Sequence, residues 1–378
     1  MRYSSKHEKG KSSMLKKIIL SLSLIYCPLV ALADQIQLND DAPKTHIVVK
    51  GDTLWDISAL FLEQPWLWPK LWRLNPEINN PHLIYPGDVL KLVFDENGEP
   101  MLVVEPVKQE KASYKWSPKI RQESTKDSAI ALLPLEVIAP FLKYDNLFTE
   151  DELEDFPQII GSDEGYRMTV NDFKVYVNAD LEVAQSYAIY DKGEEIFDPE
   201  TDDSLGFYVN LVGTAQVLKR GDIENDIPST LHVGSVKREI HAGNVVVPIN
   251  KDQLLPSIFT MKAAQKSLRG SIVKAVSNNR EFGKLEVVMV NRGIEHDVTV
   301  GDVMTIKRPS PAVVDTANGP AYLIESSSWE SLTGSEYKMP EEPLGELMIF
   351  KVYQQASMGL ILNTQKPARL NDLITAPE

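Results

Sequence analysis

Residues 45–94 constrain the fold most, because a strand pattern and a turn signal occur at each end of this short stretch. The first strand is predicted over Thr45–Val49, where β-branched residues alternate with polar ones, and the last over Val89–Val93. A turn follows the first strand at Gly51-Asp52, and Pro86-Gly87 is a turn signal before the last strand. This part of the chain is therefore predicted to form a small module that begins and ends with a strand.

Two helices are predicted between these strands. Thr53 followed by Asp56 is a capping-box pattern, so the first helix should begin at Leu54. Pro69 suits the first turn of a second helix, predicted over Trp68–Leu74. The predicted order is βααβ.

Two stretches of this module resemble the two signatures of the LysM family, namely Val49–Leu54 (VKGDTL) and Asn80–Leu90 (NPHLIYPGDVL). Members of that family bind glycans that contain N-acetylglucosamine, mainly peptidoglycan and chitin. Their ligand lies in a shallow groove between the first strand–helix loop and the loop before the last strand. The resemblance implies a glycan-binding groove formed by Gly51, Asp52, Thr53, Leu54, Leu83, Ile84 and Tyr85.

The residue types of this groove suit a neutral sugar polymer. Backbone N–H groups at a helix start can meet acetamido carbonyls. The aliphatic side chain of Ile84 and the ring of Tyr85 can cover sugar methyl groups and pyranose faces. In the alternative interpretation, Asp52, Thr53 and Tyr85 only cap and pack the module.

Tryptophan is concentrated in this module, which holds Trp55, Trp66, Trp68 and Trp72 of the chain's six. A small fold without disulfides needs large apolar side chains in its core. An aromatic core is the favoured interpretation, and a sugar-stacking platform is the alternative.

The N-terminus has the features of a secretory signal peptide over residues 1–33. Lys16-Lys17 precede the apolar run Ile18–Val30, which ends in Ala31-Leu32-Ala33. Met14 is an alternative start. Cleavage after Ala33 would remove Cys27, the chain's one cysteine. We expect a periplasmic protein without disulfides.

The rest of the chain divides into a predicted linker (95–128), a β-rich middle region (129–255) and a β-rich C-terminal domain (256–378). A short helix is expected near Leu132–Leu142, and Ser257–Leu268 is the best helix candidate further on. The predicted fold class is therefore multidomain α+β, with a small βααβ module followed by small barrel or β-clip subdomains.

A short motif recurs in the β-rich part, at Ile240–Val247, Val298–Thr305 and Ala368–Ile374. In each copy, Gly or Asn lies beside Asn or Asp, and an apolar run follows. The motif predicts a tight turn that leads into a strand.

Composition and motifs argue against several functions. The net charge of −15 disfavours a nucleic-acid partner. Cleavage leaves no thiol for cysteine catalysis, the histidines are scattered, and the G-x-S-x-G motif is absent. We expect a non-enzyme without cofactor or metal, although residue type alone does not exclude a two-carboxylate glycosidase.

Sequence stretches outside the module resemble the family of type IV pilus secretin-associated proteins. They include Phe61–Pro69, Ser117–Arg121 and Pro134–Leu142. Gly213–Ala215 and Glu239–Gly243 resemble that family's C-terminal domain, which is itself similar to the C-terminal domain of the flagellar T-ring protein. The resemblance implies a periplasmic scaffold that holds the outer-membrane secretin ring against the cell wall, with several copies around the ring.

Two other functions stay open. The chain could serve a flagellar ring or a different secretin. It could also be a peptidoglycan-cleaving enzyme of an unrecognised class.

Overall fold

The computed structural model describes residues 36–72, 84–105, 133, 135–144, 147–163, 173–249, 259–277, 279–316, 319–322, 336–337 and 339–377. The predicted signal peptide and the stretch Ser117–Arg121 lie outside these residues. Within the described part of the chain, no helix is both long enough and apolar enough to span a membrane.

Four α-helices occur in the described residues. They are α1 Leu54–Phe61, α2 Trp68–Leu71, α3 Leu135–Lys143 and α4 Glu150–Asp155, with a 3₁₀ turn at Pro65–Leu67 before α2. The predicted helix start at Leu54 is confirmed, because the Thr53 hydroxyl accepts the Asp56 N–H at 3.1 Å. The helix expected near residues 132–142 is confirmed as α3.

Strands dominate the chain. In order they are β1 Thr45–Ile47, β2 Val89–Phe94, β3 Pro100–Glu105, β4 Leu147–Phe148, β5 Ile159–Ser162, β6 Lys174–Val177, β7 Ser186–Asp191, β8 Glu195–Phe197, β9 Ser204–Tyr208, β10 Asn210–Lys219, β11 Ser229–Val236, β12 Val245–Pro248, β13 Lys262–Ala263, β14 Arg269–Ala275, β15 Val287–Val290, β16 Asp302–Pro309, β17 Val313–Thr316, β18 Gly319–Tyr322, β19 Glu336–Tyr337, β20 Glu341–Val352, β21 Ser357–Thr364 and β22 Leu373–Thr375.

The N-terminal module has the predicted βααβ order and one further strand. β1, β2 and β3 form an antiparallel sheet with β2 in the centre. β3 lies inside the predicted linker 95–128, so the linker prediction is wrong for these residues. The polar residues before β3 form a hairpin turn instead, in which the Asp95 carboxylate accepts the N–H groups of Asn97 and Glu99, each at 2.8 Å. Leu102 then packs into the core.

The four tryptophans of the module are buried, with exposed fractions of 1% to 8%. They belong to one hydrophobic cluster that includes Phe61, Leu71 and Leu90. The core interpretation of these tryptophans is therefore confirmed.

The mainly β part contains two larger sheets. The first has the strand order β12-β7-β10-β11-β6-β5, and its two ends meet at the bridge between Gln158 and Val245. The second has the order β13-β16-β20-β21-β15-β14-β22, and a further pairing of β16 with β22 closes it into a barrel. We call this closed sheet the C-terminal barrel. The predicted fold class is confirmed.

The start of the C-terminal barrel differs from the sequence prediction. A helix is expected over Ser257–Leu268, but the described residues of that range contain the strand β13. β13 pairs in parallel with the start of β16, where Lys262 lies opposite Asp302. Phe259 and Met261 are buried just before it. Pairing at the barrel therefore overrides the local helical pattern.

The recurring motif forms the same turn in every copy, and the N-terminal module has two more. In each turn the side-chain oxygen of the fourth residue accepts the N–H of the first at 2.7–3.0 Å. The third residue has a positive φ, from +92° to +102° at four glycines and +66° at Asn371. The five turns are Val49–Asp52, Tyr85–Asp88, His241–Asn244, Thr299–Asp302 and Arg369–Asp372. The prediction of a tight turn before a strand is confirmed.

The module packs directly on the C-terminal barrel. Trp66, Trp68 and Trp72 share one hydrophobic cluster with Phe259 and Met261 and with side chains of β16, β20 and β21. The 3₁₀ turn that contains Trp66 contacts β13. The turn between the helices therefore faces the barrel.

Candidate glycan-binding site

Two of the five turns lie side by side in the module. Val48, directly after β1, donates its N–H to the Asp88 carbonyl at 2.9 Å and accepts the Gly87 N–H at 2.7 Å. These backbone bonds hold the turn Val49–Asp52 next to the turn Tyr85–Asp88. The two loops that the LysM resemblance predicts to line the groove are thus neighbours.

The Asp52 side chain stabilises its own loop. Its Oδ2 accepts the Val49 N–H at 3.0 Å and lies 2.9 Å from His46 Nε2. Gly51, at φ +102°, is exposed and has nothing within 4 Å of where a Cβ would be. Asp52 therefore shapes the loop, while Gly51 keeps the approach to its backbone open.

His46 is a residue of this site that the sequence analysis missed. It lies on β1, six positions before Asp52, and its side chain is largely buried against that carboxylate. The sequence signal was present in the β1 alternation, which turns His46 inward while Ile47 faces outward. Its contact with Asp52 depends on the folded loop and could not be predicted from the strand alone.

Thr53 and Asp56 fix the start of α1. The Thr53 hydroxyl donates to Asp56 Oδ2 at 2.9 Å, and its oxygen accepts the Asp56 N–H. The first amides of a helix have no partner within the helix, but Leu54 and Trp55 are only 0% and 1% exposed, so packing covers them. The main chain that this loop leaves open to an acetamido group lies at Gly51.

Leu54 and Ile84 differ from the expected picture. Both side chains are 0% exposed and belong to the core of the module. The expectation that the Ile84 side chain covers a sugar methyl group is therefore wrong, because packing has already removed it from the surface. The main-chain atoms of Leu54 and Ile84 are covered as well, because the whole residues are 0% exposed. Leu83 lies outside the described residues.

Tyr85 is half-buried, and its N–H is held by Asp88 Oδ2 at 2.9 Å. Apolar residues at the end of β1 and in the turn that follows are more exposed, 61% for Ile47 and 56% for Val49. The sequence analysis did not identify Ile47 and Val49 as exposed residues near the site. Ile47 and Val49 flank Val48, which is hydrogen-bonded to Gly87 and Asp88. Both therefore lie close to the turn that contains Tyr85.

Both carboxylates at the site have partners. Asp52 Oδ2 is hydrogen-bonded to His46, and Asp56 forms an ion pair with Lys284 of the C-terminal barrel, whose Nζ lies 2.6 Å from Asp56 Oδ1. Lys284 is the second residue that the sequence analysis missed, and no local pattern marks it. Among the described residues, no group of three or more His, Cys, Asp or Glu side chains could hold a metal ion. The site can offer hydrogen bonds and apolar contact to a neutral sugar.

Comparison with known proteins assigns the module. Residues 46–93 match the LysM domain family. An uncharacterised protein of Bacillus subtilis (strain 168), YqbP, is 41% identical over 64 residues, which cover 14% of this chain and 29% of that protein. The chain thus spans less than a third of that relative's length. LysM domains bind peptidoglycan that contains N-acetylglucosamine and occur in cell-wall-associated extracytoplasmic proteins. This chain contains such a domain, and its remaining β-rich part lies outside the match.

Proposed function

We propose that this protein is a non-catalytic periplasmic scaffold that binds peptidoglycan and holds the outer-membrane secretin ring of the type IV pilus against the cell wall. The observation that carries the wall-binding part is the adjacency of the two turns in the LysM domain. The secretin part rests on the resemblance of the sequence stretches outside that domain. In this proposal the two β-rich sheets contact the secretin.

The proposed glycan contacts follow from the geometry of the two turns. The exposed main chain at Gly51 binds an acetamido carbonyl, and the Thr53 cap of α1 lies beside it. The Tyr85 ring covers a pyranose face. Asp52 acts through the loop it braces, and Leu54 and Ile84 act through the core packing that holds the two loops.

Multiple copies around a ring would make weak single contacts sufficient. One shallow, nearly neutral groove should bind a glycan weakly, because little area is buried. Several linked grooves on one polymer gain roughly 10²–10⁴ in avidity. Such an arrangement would spread the load of a retracting pilus over the wall.

Tyr85→Ala tests the groove. We expect the variant to lose most binding to purified peptidoglycan sacculi, because the ring supplies the apolar contact to the sugar. Tyr322→Ala is the matched control, since Tyr322 is 48% exposed on β18, far along the chain from the LysM domain. Co-sedimentation with sacculi measures both. Wild-type binding by a folded Tyr85→Ala protein would show that the ligand lies elsewhere.

Crosslinking in living cells tests the secretin part. Photoreactive residues are placed at exposed positions of the two sheets and their turns, such as Leu218 on β10 and Val300 just before β16, and captured partners are identified by mass spectrometry. We expect a pilus secretin. Capture of flagellar basal-body proteins alone would assign the scaffold to another ring. Release of soluble muropeptides from sacculi by the purified protein would instead show a peptidoglycan-cleaving enzyme.

A further inference from the structure

The C-terminal barrel reaches the start of helix α1, beside the candidate glycan-binding loop. Lys284, in the hairpin between β14 and β15, donates to Asp56 Oδ1 at 2.6 Å. Oδ2 of the same carboxylate accepts the Thr53 hydroxyl at 2.9 Å. The Asp56 carboxylate therefore connects the N-cap of α1 to Lys284, which lies 228 positions after Asp56 in the chain.

The hairpin that carries Lys284 is anchored on the barrel. The N–H of the next residue, Leu285, donates to the Ile361 carbonyl at 2.8 Å, and its side chain packs on the cluster that contains the LysM tryptophans. Phe282, two residues before Lys284, is 1% exposed. The ammonium group is thus presented from a fixed loop.

Electrostatics explains why this contact matters for a glycan. The N–H groups at the start of α1 create a positive potential that favours a carbonyl oxygen. The Asp56 carboxylate lies in the first turn and opposes that potential for an incoming acceptor. Lys284 compensates its charge from the side of the barrel.

We propose that Lys284 is a positioning residue of the glycan site: it neutralises Asp56 and holds its carboxylate on the Thr53 cap, so that an acetamido oxygen at the exposed loop around Gly51 meets no uncompensated negative charge. The inference rests on the proposed glycan binding by the LysM domain. It assigns to the C-terminal barrel a role in the affinity of a groove formed by another part of the chain.

Isothermal titration of the full chain with a soluble N-acetylglucosamine hexamer tests this role. Lys284→Met should raise Kd by about two- to fivefold, in keeping with the small strength of a partly exposed ion pair. Lys284→Arg should restore the wild-type value because it keeps the charge. The matched control is Lys91→Met, since Lys91 pairs with Glu105 at 3.8 Å on the sheet of the LysM domain and is similarly exposed.

A second pair of variants separates charge compensation from a general structural effect. Asp56→Asn keeps an oxygen for the Thr53 hydroxyl and removes the charge, so its Kd should stay within about twofold of wild type. In that background, Lys284→Met should have no further effect. A merely structural role of Lys284 would weaken binding equally in both backgrounds.

The outcomes distinguish the inference from the proposed function. If the wild type binds the hexamer and folded Lys284→Met binds equally well, the positioning role is wrong and glycan binding stands. A loss that is equal in the Asp56→Asn background also overturns it. If the wild type does not bind, the glycan function fails and the inference fails with it.

Discussion

At the scale of single residues, the groove shows that identity alone does not decide a role. Leu54 and Ile84 lie in the two signature loops, yet their side chains are 0% exposed. Asp52 lies in one of these loops, and its carboxylate is hydrogen-bonded to His46 and to the Val49 N–H. Tyr85 is partly exposed and carries an aromatic ring, so we assign the stacking contact with sugar to it.

Glu346 is a single residue with a consequence for stability. It lies on β20 opposite Thr305 and Asn363, and Asn363 Nδ2 donates to its Oε2 at 3.3 Å. Burial raises the pKa of Glu346 from 4.5 to about 7. The folded state therefore holds this proton more tightly than the unfolded chain.

We predict a pH dependence from this group. Its stabilising contribution is complete below pH 4.5 and is lost as pH rises through about 7, because the buried carboxyl must then ionise. Glu346→Gln removes this loss, so the variant should match wild type near pH 4 and exceed it at pH 8 by at most about 3 kcal/mol. Urea unfolding of both proteins across this range is the measurement. A constant difference in unfolding free energy at every pH would contradict the prediction.

At the scale of elements, the five turns are the unit that the chain repeats. Each joins a positive φ at the third residue to a carboxylate or amide oxygen at the fourth. The fourth residue is buried in the turns of the β-rich part, where Asn244, Asp302 and Asp372 are each 3% exposed. An unmade hydrogen bond there would leave a buried amide without its acceptor.

Asp302 tests the turn. Its carboxylate accepts the Thr299 N–H at 2.8 Å and the Thr299 hydroxyl at 3.1 Å. Asp302→Ala should cost about 1–3 kcal/mol of unfolding free energy, because the acceptor is lost in a buried place. Asp302→Asn should cost much less, since Asn244 forms the same turn with an amide oxygen.

Urea unfolding at pH 7 measures both variants. Asp315→Ala is the control, because Asp315 is exposed on β17 and should change stability by less than about 0.5 kcal/mol. Equal losses for the Ala and Asn variants would mean that the side-chain oxygen does not stabilise the turn.

At the scale of the whole molecule, the LysM domain is part of a larger packed body. Its tryptophan-rich turn lies on the C-terminal barrel, and helix α3 contributes Ile138 to the same hydrophobic cluster. Lys351 of β20 donates to the carbonyls of Phe141 and Tyr144 at 2.9 and 3.0 Å, which ties the end of α3 to the barrel. Because of this packing, the groove has a set orientation relative to the barrel.

The sequence by itself determined what is encoded within a few neighbouring residues. The cap at Thr53, the repeated turns, the strand alternation and the LysM signatures all depend on local backbone preferences and hydrogen bonds. These signals predicted the βααβ order and the mainly β remainder.

Only the tertiary structure decided which surfaces stay exposed and which distant residues meet. β3 is part of the module because Leu102 packs into its core. Ile84 does not line the groove because it is buried in the same core. Lys284 came to Asp56 through the packing of the barrel on the tryptophan-rich turn. Burial and long-range pairing depend on the whole set of packed elements, and no short stretch of sequence carries that information.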